Sequence, residues 1–355
     1  MSYRDHTIKT FYFLLVTGLT LQVPFCWAET GGEFFLFPQA GLVYRSGLND
    51  DSALEGDDHE VGVDLFVTYE RNNFRLLGEF LLTNEEHDFE RLQVGWLHNN
   101  QLFWLGRFHN PVGYWNTQYH HGAYFQTSIS RPAIVEFEES GGILPMHQAG
   151  LLIEGSIASG ETDLKYALSL ATGPEYTHEL EPLDVLNPGS GDRDTSVTLN
   201  IRRDFGASTP VTLGLFANYT VIPSSAADVI EIKQTSAGIY GIWEFPSWRW
   251  HGASHYVSNQ LEHAVGSQSS SFFNAYLQAE YMLDERWKFY GRIESTVGNK
   301  DDVYLELFPR FIEDMLVGGI RYDFARQNAL KLELSANHMQ RDNFNQVMLQ
   351  WSAQF

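Results

Sequence analysis

The side chains able to do chemistry crowd into one stretch, GRFHNPVGYWNTQYHHGAYFQTSISRPAIVEFEESGGILPMH, from Gly106 to His147. It holds four of the chain's 13 histidines: His109, His120, His121 and His147. Imidazoles suit a transition metal. Neighbouring residues on an extended chain point to opposite faces, however, so His120 and His121 do not both reach one ion. Hydrogen bonding within a folded loop accounts for them better, and no metal or other cofactor is assigned. Arg131, Glu136, Glu138 and Glu139 offer a second kind of chemistry: fixed charges that, ringed round a narrow passage, select ions. Tyr114, Trp115, Tyr119, Tyr124, Phe125 and Phe137 are more aromatic surface than a segment standing in water needs. The stretch is therefore expected to pack inward against a wall.

The flanking sequence says what that wall is. Phe273, Ala275, Leu277, Ala279 and Tyr281 alternate with Asn274, Tyr276, Gln278 and Glu280, and Leu330, Leu332 and Leu334 alternate with Lys331, Glu333 and Ser335. The final nine residues, VMLQWSAQF, do the same. Period two marks strands with one apolar and one polar face. Connections alternate between short turns, such as Arg71 to Asn73 and Asn99-Asn100, and longer ones, such as Arg45 to His59, Asn259 to Ser270 and Gly298 to Glu313. Eight long and seven short connections imply about 16 strands, with 14 as the fallback because Pro309 interrupts an expected strand at Val303 to Phe311. The fold expected is an all-β, transmembrane antiparallel barrel, with the third long connection folded into its pore. Strands survive in hydrocarbon only as a closed ring. The polar faces, with Asp64, Glu70, Arg75, Glu79, Lys165, Arg202, Glu280, Lys288, Arg292, Glu294, Lys331 and Glu333, are expected to line a wet lumen.

Residues 1–28 read as a cleaved signal peptide, leaving 29–355 as the barrel. Arg4 and Lys9 precede the apolar run Phe11 to Leu21, and Cys26 and Ala28 put small residues at the two positions a signal peptidase inspects before a cut after Ala28. Cys26, the only cysteine, goes with it, so neither disulfides nor thiolate chemistry is expected of the mature chain. The whole chain has 23 basic and 45 acidic residues; removing Arg4, Lys9 and Asp5 leaves 21 − 44 = −23. Such a balance excludes nucleic acid as a partner. The Arg45 to His59 loop, with Asp50, Asp51, Glu55, Asp57 and Asp58, lacks EF-hand spacing and suits a solvated outer loop bridged to lipopolysaccharide.

Two resemblances bear on function. VMLQWSAQF resembles the terminal signature of bacterial outer-membrane barrels, which implies recognition of Phe355 by the barrel-assembly machinery. The run G-R-F-x-x-P-x-G from Gly106 to Gly113, then Arg131-Pro132 and Gly141-Gly142, resembles the phosphate-selective porin family. That resemblance implies a homotrimer of 16-stranded barrels with Arg107 and Arg131 lining or bracing each constriction. The acidic excess departs from that family's basic path, so the solutes expected are cations or neutral polar molecules. GASHYVSNQ faintly resembles the His-x-Ser-Asn motif of outer-membrane phospholipase, but His255 and Ser258 fall on opposite faces of a strand, and no enzyme is expected. The reading is a passive, cation-leaning porin in the bacterial outer membrane. A non-conducting adhesin or anchor and a metal-ion uptake channel stand as alternatives.

Overall fold

The computed structural model describes residues 31–48, 55–84, 87–119, 122–159, 162–187, 189, 191–206, 209–226 and 228–355. The signal segment, Asp50, Asp51, His120 and His121 lie outside them. The wall begins with β1 (Gly32–Ser46), β2 (Gly56–Arg71), β3 (Phe74–Thr83), β4 (His87–His98), β5 (Gln101–His109), β6 (His147–Ser159) and β7 (Thr162–Thr172). A two-stranded ribbon, β8 (Glu175–Tyr176) with β9 (Leu180–Glu181), lies in the next connection. The wall resumes with β10 (Thr195–Asp204), β11 (Val211–Pro223), β12 (Glu231–Glu244), β13 (Trp248–Glu262) and β14 (Ser267–Met282). It ends with β15 (Trp287–Val297), β16 (Ile312–Ala325), β17 (Asn328–Met339) and β18 (Asn343–Ala353).

These 16 wall strands pair antiparallel, each with its neighbour, and β18 pairs with β1 to close the ring. Two backbone hydrogen bonds of 2.9 Å between Leu36 and Phe355 extend that last seam. Closure leaves no edge of unpaired N–H and C=O groups, the condition for strands in hydrocarbon. Short turns follow from local chemistry. Asn99 and Asn100 both take positive φ, 49° and 63°, the conformation of a tight hairpin that asparagine tolerates well.

The alternation sorts the faces as expected. On β14, Phe273 and Leu277 are exposed, while Asn274, Gln278 and Glu280 are buried. Leu92, Val94, Leu168, Leu170, Leu213, Leu215, Ile239, Ile293, Leu316, Leu332 and Leu334 share the exposed outer face. A belt that continuous is a surface for acyl chains. Phe74, Trp96, Trp243, Phe245 and Trp248 are exposed near the short-turn end, where amphipathic rings suit a membrane interface. Among the described residues, no helix is long and apolar enough to cross a membrane.

Four expectations need correction. Val303 to Phe311 is not a strand: Leu305–Leu307 forms a 3-10 turn, and Tyr304, Leu305, Phe308 and Phe311 are buried. The strand count stands because β16 starts after it. Most of Asn259 to Ser270 is ladder rather than loop, since β13 reaches Glu262 and β14 begins at Ser267. In VMLQWSAQF only Val347 and Leu349 are exposed; Trp351 and Ala353 are buried in a cluster with Ala40, beside Phe355. Finally, the interior is not wet throughout. Val112, Trp115, Ile134, Ile143, Leu144 and Met146 form one apolar core with Tyr304, Leu305 and the wall residues Phe216, Val257, Phe272 and Met315.

Candidate functional site

The long β5–β6 connection starts from a glycine pair. Gly106 and Gly150 face each other across β5 and β6, with φ of +142° and +158°. A Cβ on Gly106 would stand 2.0 Å from the carbonyl oxygen of Leu92, so the neighbouring strand leaves no room for any other residue. Next to it, Arg107 is 2 % exposed and donates to Asp88, to the Leu183 carbonyl at 2.7 Å and to Glu139 at 3.4 Å. Arg107 therefore ties this corner of β5 to β4, to Leu183 and to the loop's Glu139.

Beyond β5 the chain meets strand after strand. Thr198 on β10 donates to Asn110 at 2.6 Å. Arg249 on β13 donates to the Tyr114 hydroxyl at 2.8 Å. Trp115 is fully buried, 5.3 Å from the His251 ring. The Gly122 N–H reaches Asp64 on β2, and Thr127 donates to Glu280 on β14 at 2.8 Å. Arg321 on β16 donates to the Gln126 carbonyl at 2.8 Å and Lys331 on β17 to the Ser128 carbonyl at 3.2 Å.

Residues 129–134 have the densest anchor. Glu333 accepts from the N–H groups of Ile129 (2.8 Å) and Ser130 (3.2 Å) and from the Ser130 hydroxyl (2.5 Å). Glu294 accepts from the N–H groups of Ala133 (2.9 Å) and Ile134 (3.0 Å). Between them, the buried Arg292 donates to the carbonyls of Ser130 (3.0 Å) and Arg131 (2.8 Å).

The loop's own charges are turned inward. Arg131 lies 3.8 Å over the Phe137 ring and donates to the Val135 carbonyl at 3.0 Å; burial lowers its pKa to about 10, still above neutrality. Glu136 is 3.9 Å from that guanidinium, and burial raises its pKa against the pull of Arg131. Glu138 is wholly buried and accepts from the N–H groups of Met146 (2.6 Å) and His147 (3.0 Å). Burial pushes Glu139 up to about 8. Of the three glutamates only Glu138 is wholly buried; the side chains of Glu136 and Glu139 keep 29 % and 16 % exposure.

The open space is elsewhere. A cavity of about 380 Å³ lies between Thr117 and Gln118 of the loop and Glu154, Lys165, Tyr166, Asn200, Arg202 and Tyr240 of the wall. Lys165, with a side chain 44 % exposed, pairs with Asp204 at 2.8 Å; Glu154 accepts from the Trp104 indole at 2.9 Å. Alternation marks Lys165 and Arg202 as inward-facing, but Thr117, Gln118, Asn200 and Tyr240 belong to no motif and were missed. His255 is buried against Phe216, 5.1 Å between rings, and Ser258 lies on the opposite face of β13.

No protein-family model and no curated protein sequence matches the chain. Its fold does resemble solved structures. One is the outer membrane channel DcaP of Acinetobacter baumannii, with a TM-score of 0.60 and 12 % identity over 92 % of this chain and 98 % of that one. Another is an anion-selective porin from Comamonas acidovorans, at 0.59 and 12 % over 92 % and 100 %. A third is OmpT of Vibrio cholerae in its trimer form, at 0.53 and 8 % over 92 % and 100 %. At these identities the likeness is one of fold: the chain is a closed, 16-stranded antiparallel β-barrel of the architecture found in outer-membrane porins.

Proposed function

We propose that this protein is a passive diffusion channel of the bacterial outer membrane, with segment 110–146 lying inside the barrel as its constriction. The observation that carries the reading is the join of an exposed apolar belt to an interior whose polar side chains hold that segment by hydrogen bonds from β2, β10 and β13–β17. Barrel-type neighbours that are themselves outer-membrane channels support it. The passage then runs beside Gln118, Lys165, Arg202 and Glu154, whose charges are mixed. We therefore favour small neutral polar solutes with weak charge discrimination, over the cation preference that Glu136, Glu138 and Glu139 suggested.

Liposome swelling with a series of sugars tests this, together with single-channel recording. Swelling that falls off steeply with sugar size supports a constricted pore. A folded barrel giving neither swelling nor conductance steps would favour a closed anchor, for which the apolar core inside the wall is the motivating observation. We further propose cleavage after Ala28, read by mass spectrometry of the mature chain, and a homotrimer, read by light scattering in detergent.

A further inference from the structure

We propose a divalent transition-metal site, zinc by preference, at Glu90, His109 and His147. The three residues come from adjacent strands β4, β5 and β6, at the end where the long connection leaves and returns. His109 and His147 are direct cross-strand partners, with rings 4.9 Å apart. Nε2 of His147 lies 2.7 Å from Glu90 Oε2, and Nε2 of His109 lies 3.7 Å from that same oxygen. One ligand atom from each lies within 4.8 Å of the others. Ligand atoms bound tetrahedrally to zinc at 2.0–2.1 Å stand about 3.3 Å apart, so shifts of about 1 Å bring all three onto one ion. Two imidazoles and one carboxylate, with a fourth position left for water, is a donor set that zinc accepts.

A second observation points the same way. Nδ1 of His147 is 2.9 Å from Glu138 Oε2, and Glu138 is fixed by the backbone N–H groups of Met146 and His147. A carboxylate on the far nitrogen holds the imidazole in the tautomer and orientation that present Nε2 to a metal. Glu138 is thus a positioning residue rather than a ligand. Zinc would take the place of the proton between His147 Nε2 and Glu90, releasing that proton to water. The bound ion would tie the return of segment 110–146 to β4 and β5. This site does not depend on the channel reading, and its test needs no conductance.

The test is zinc retention by the full mature chain, folded in detergent, stripped with chelator, reloaded with zinc chloride alone and desalted. The expected result is one zinc per chain, lost in His109→Gln and in Glu90→Gln. Glu138→Gln should lower affinity by about 10–100-fold, and His120→Ala/His121→Ala should leave retention unchanged. Heat-modifiable gel mobility establishes that each variant is folded. Should a ligand variant not fold, cobalt(II) titration of the wild-type chain decides instead, since a four-coordinate site gives strong visible absorption. The proposal is overturned by zinc-free wild-type protein, by retention unaltered in folded His109→Gln, by loss confined to the His120/His121 variant, or by cobalt absorption of the weak, hexa-aqua type.

Discussion

If segment 110–146 is the constriction proposed above, Glu333 is one of the two wall side chains, with Arg292, that bond residues 129–131 most heavily. It is fully buried and accepts three hydrogen bonds from Ile129 and Ser130, plus one from the Tyr290 hydroxyl at 2.9 Å. Hydrogen bonds to a charged group are each worth about 1.5–3 kcal/mol. They are not additive here, since all end on one carboxylate. Removing one partner of a buried charged network costs about 3–5 kcal/mol. For Glu333→Ala we take about 4 kcal/mol, which lowers the ratio of seated to unseated segment by about a thousandfold, at 1.4 kcal/mol per decade. Arg292, Glu294, Arg321 and Lys331 still hold neighbouring residues, so the mean conductance should change little. The frequency of brief openings to a larger level should rise instead, and Glu294→Ala/Glu333→Ala should hold that level for most of the record. Single-channel recording in planar bilayers reads both. A folded double variant with wild-type step size and noise would refute the placement of the constriction at residues 129–134.

Three further outcomes follow from the same geometry. Lys165→Gln/Arg202→Gln should move the reversal potential under a salt gradient toward cation preference, and by more than Glu136→Gln/Glu138→Gln/Glu139→Gln moves it in either direction; the opposite ranking would return the filter to the loop glutamates. Glu136 has its pKa raised by burial, so the folded state holds this proton more tightly than the unfolded chain does, and stability should fall as pH climbs from the ordinary carboxylate value of 4.5 to the raised one. Glu136→Gln should flatten that part of a melting-temperature profile, and a profile unchanged by the substitution would count against the assignment. Gly106→Val places a Cβ against the Leu92 carbonyl at a φ of +142°, and should lower the urea midpoint of unfolding by the equivalent of about 1–3 kcal/mol or block barrel formation outright.

The wall was legible in the sequence because its physics is local. Each strand must alternate, so Asn274, Gln278 and Glu280 announce an inner face without reference to any other strand. Asn99-Asn100 announces a turn for equally local reasons. The interior was not legible in the same way. Whether Glu138 meets water or the N–H of Met146 depends on where the chain folds back eight residues later. Tyr304 sits in a stretch whose spacing mimics a strand, yet its hydroxyl donates to the Ile143 carbonyl at 2.5 Å, 161 residues away. Likewise, Thr117 and Gln118 become cavity lining only because Arg249 and His251 hold the turn before them against the far wall.

The acidic excess takes on a different meaning from this. An irregular segment buried against a wall has no ladder to receive its N–H groups, and an unpaired buried N–H is costly. Here Glu138 accepts the N–H of Met146 and His147, Glu294 those of Ala133 and Ile134, and Glu333 those of Ile129 and Ser130. Three carboxylates therefore do for six amides what a partner strand does elsewhere in the barrel. Each is buried, and none lines the cavity beside Lys165 and Arg202, although Glu294 borders a second one of about 350 Å³ with Met315 and Asn337. A count of acidic residues then overstates the field a permeating ion would meet, because part of that count is backbone pairing for the inner segment.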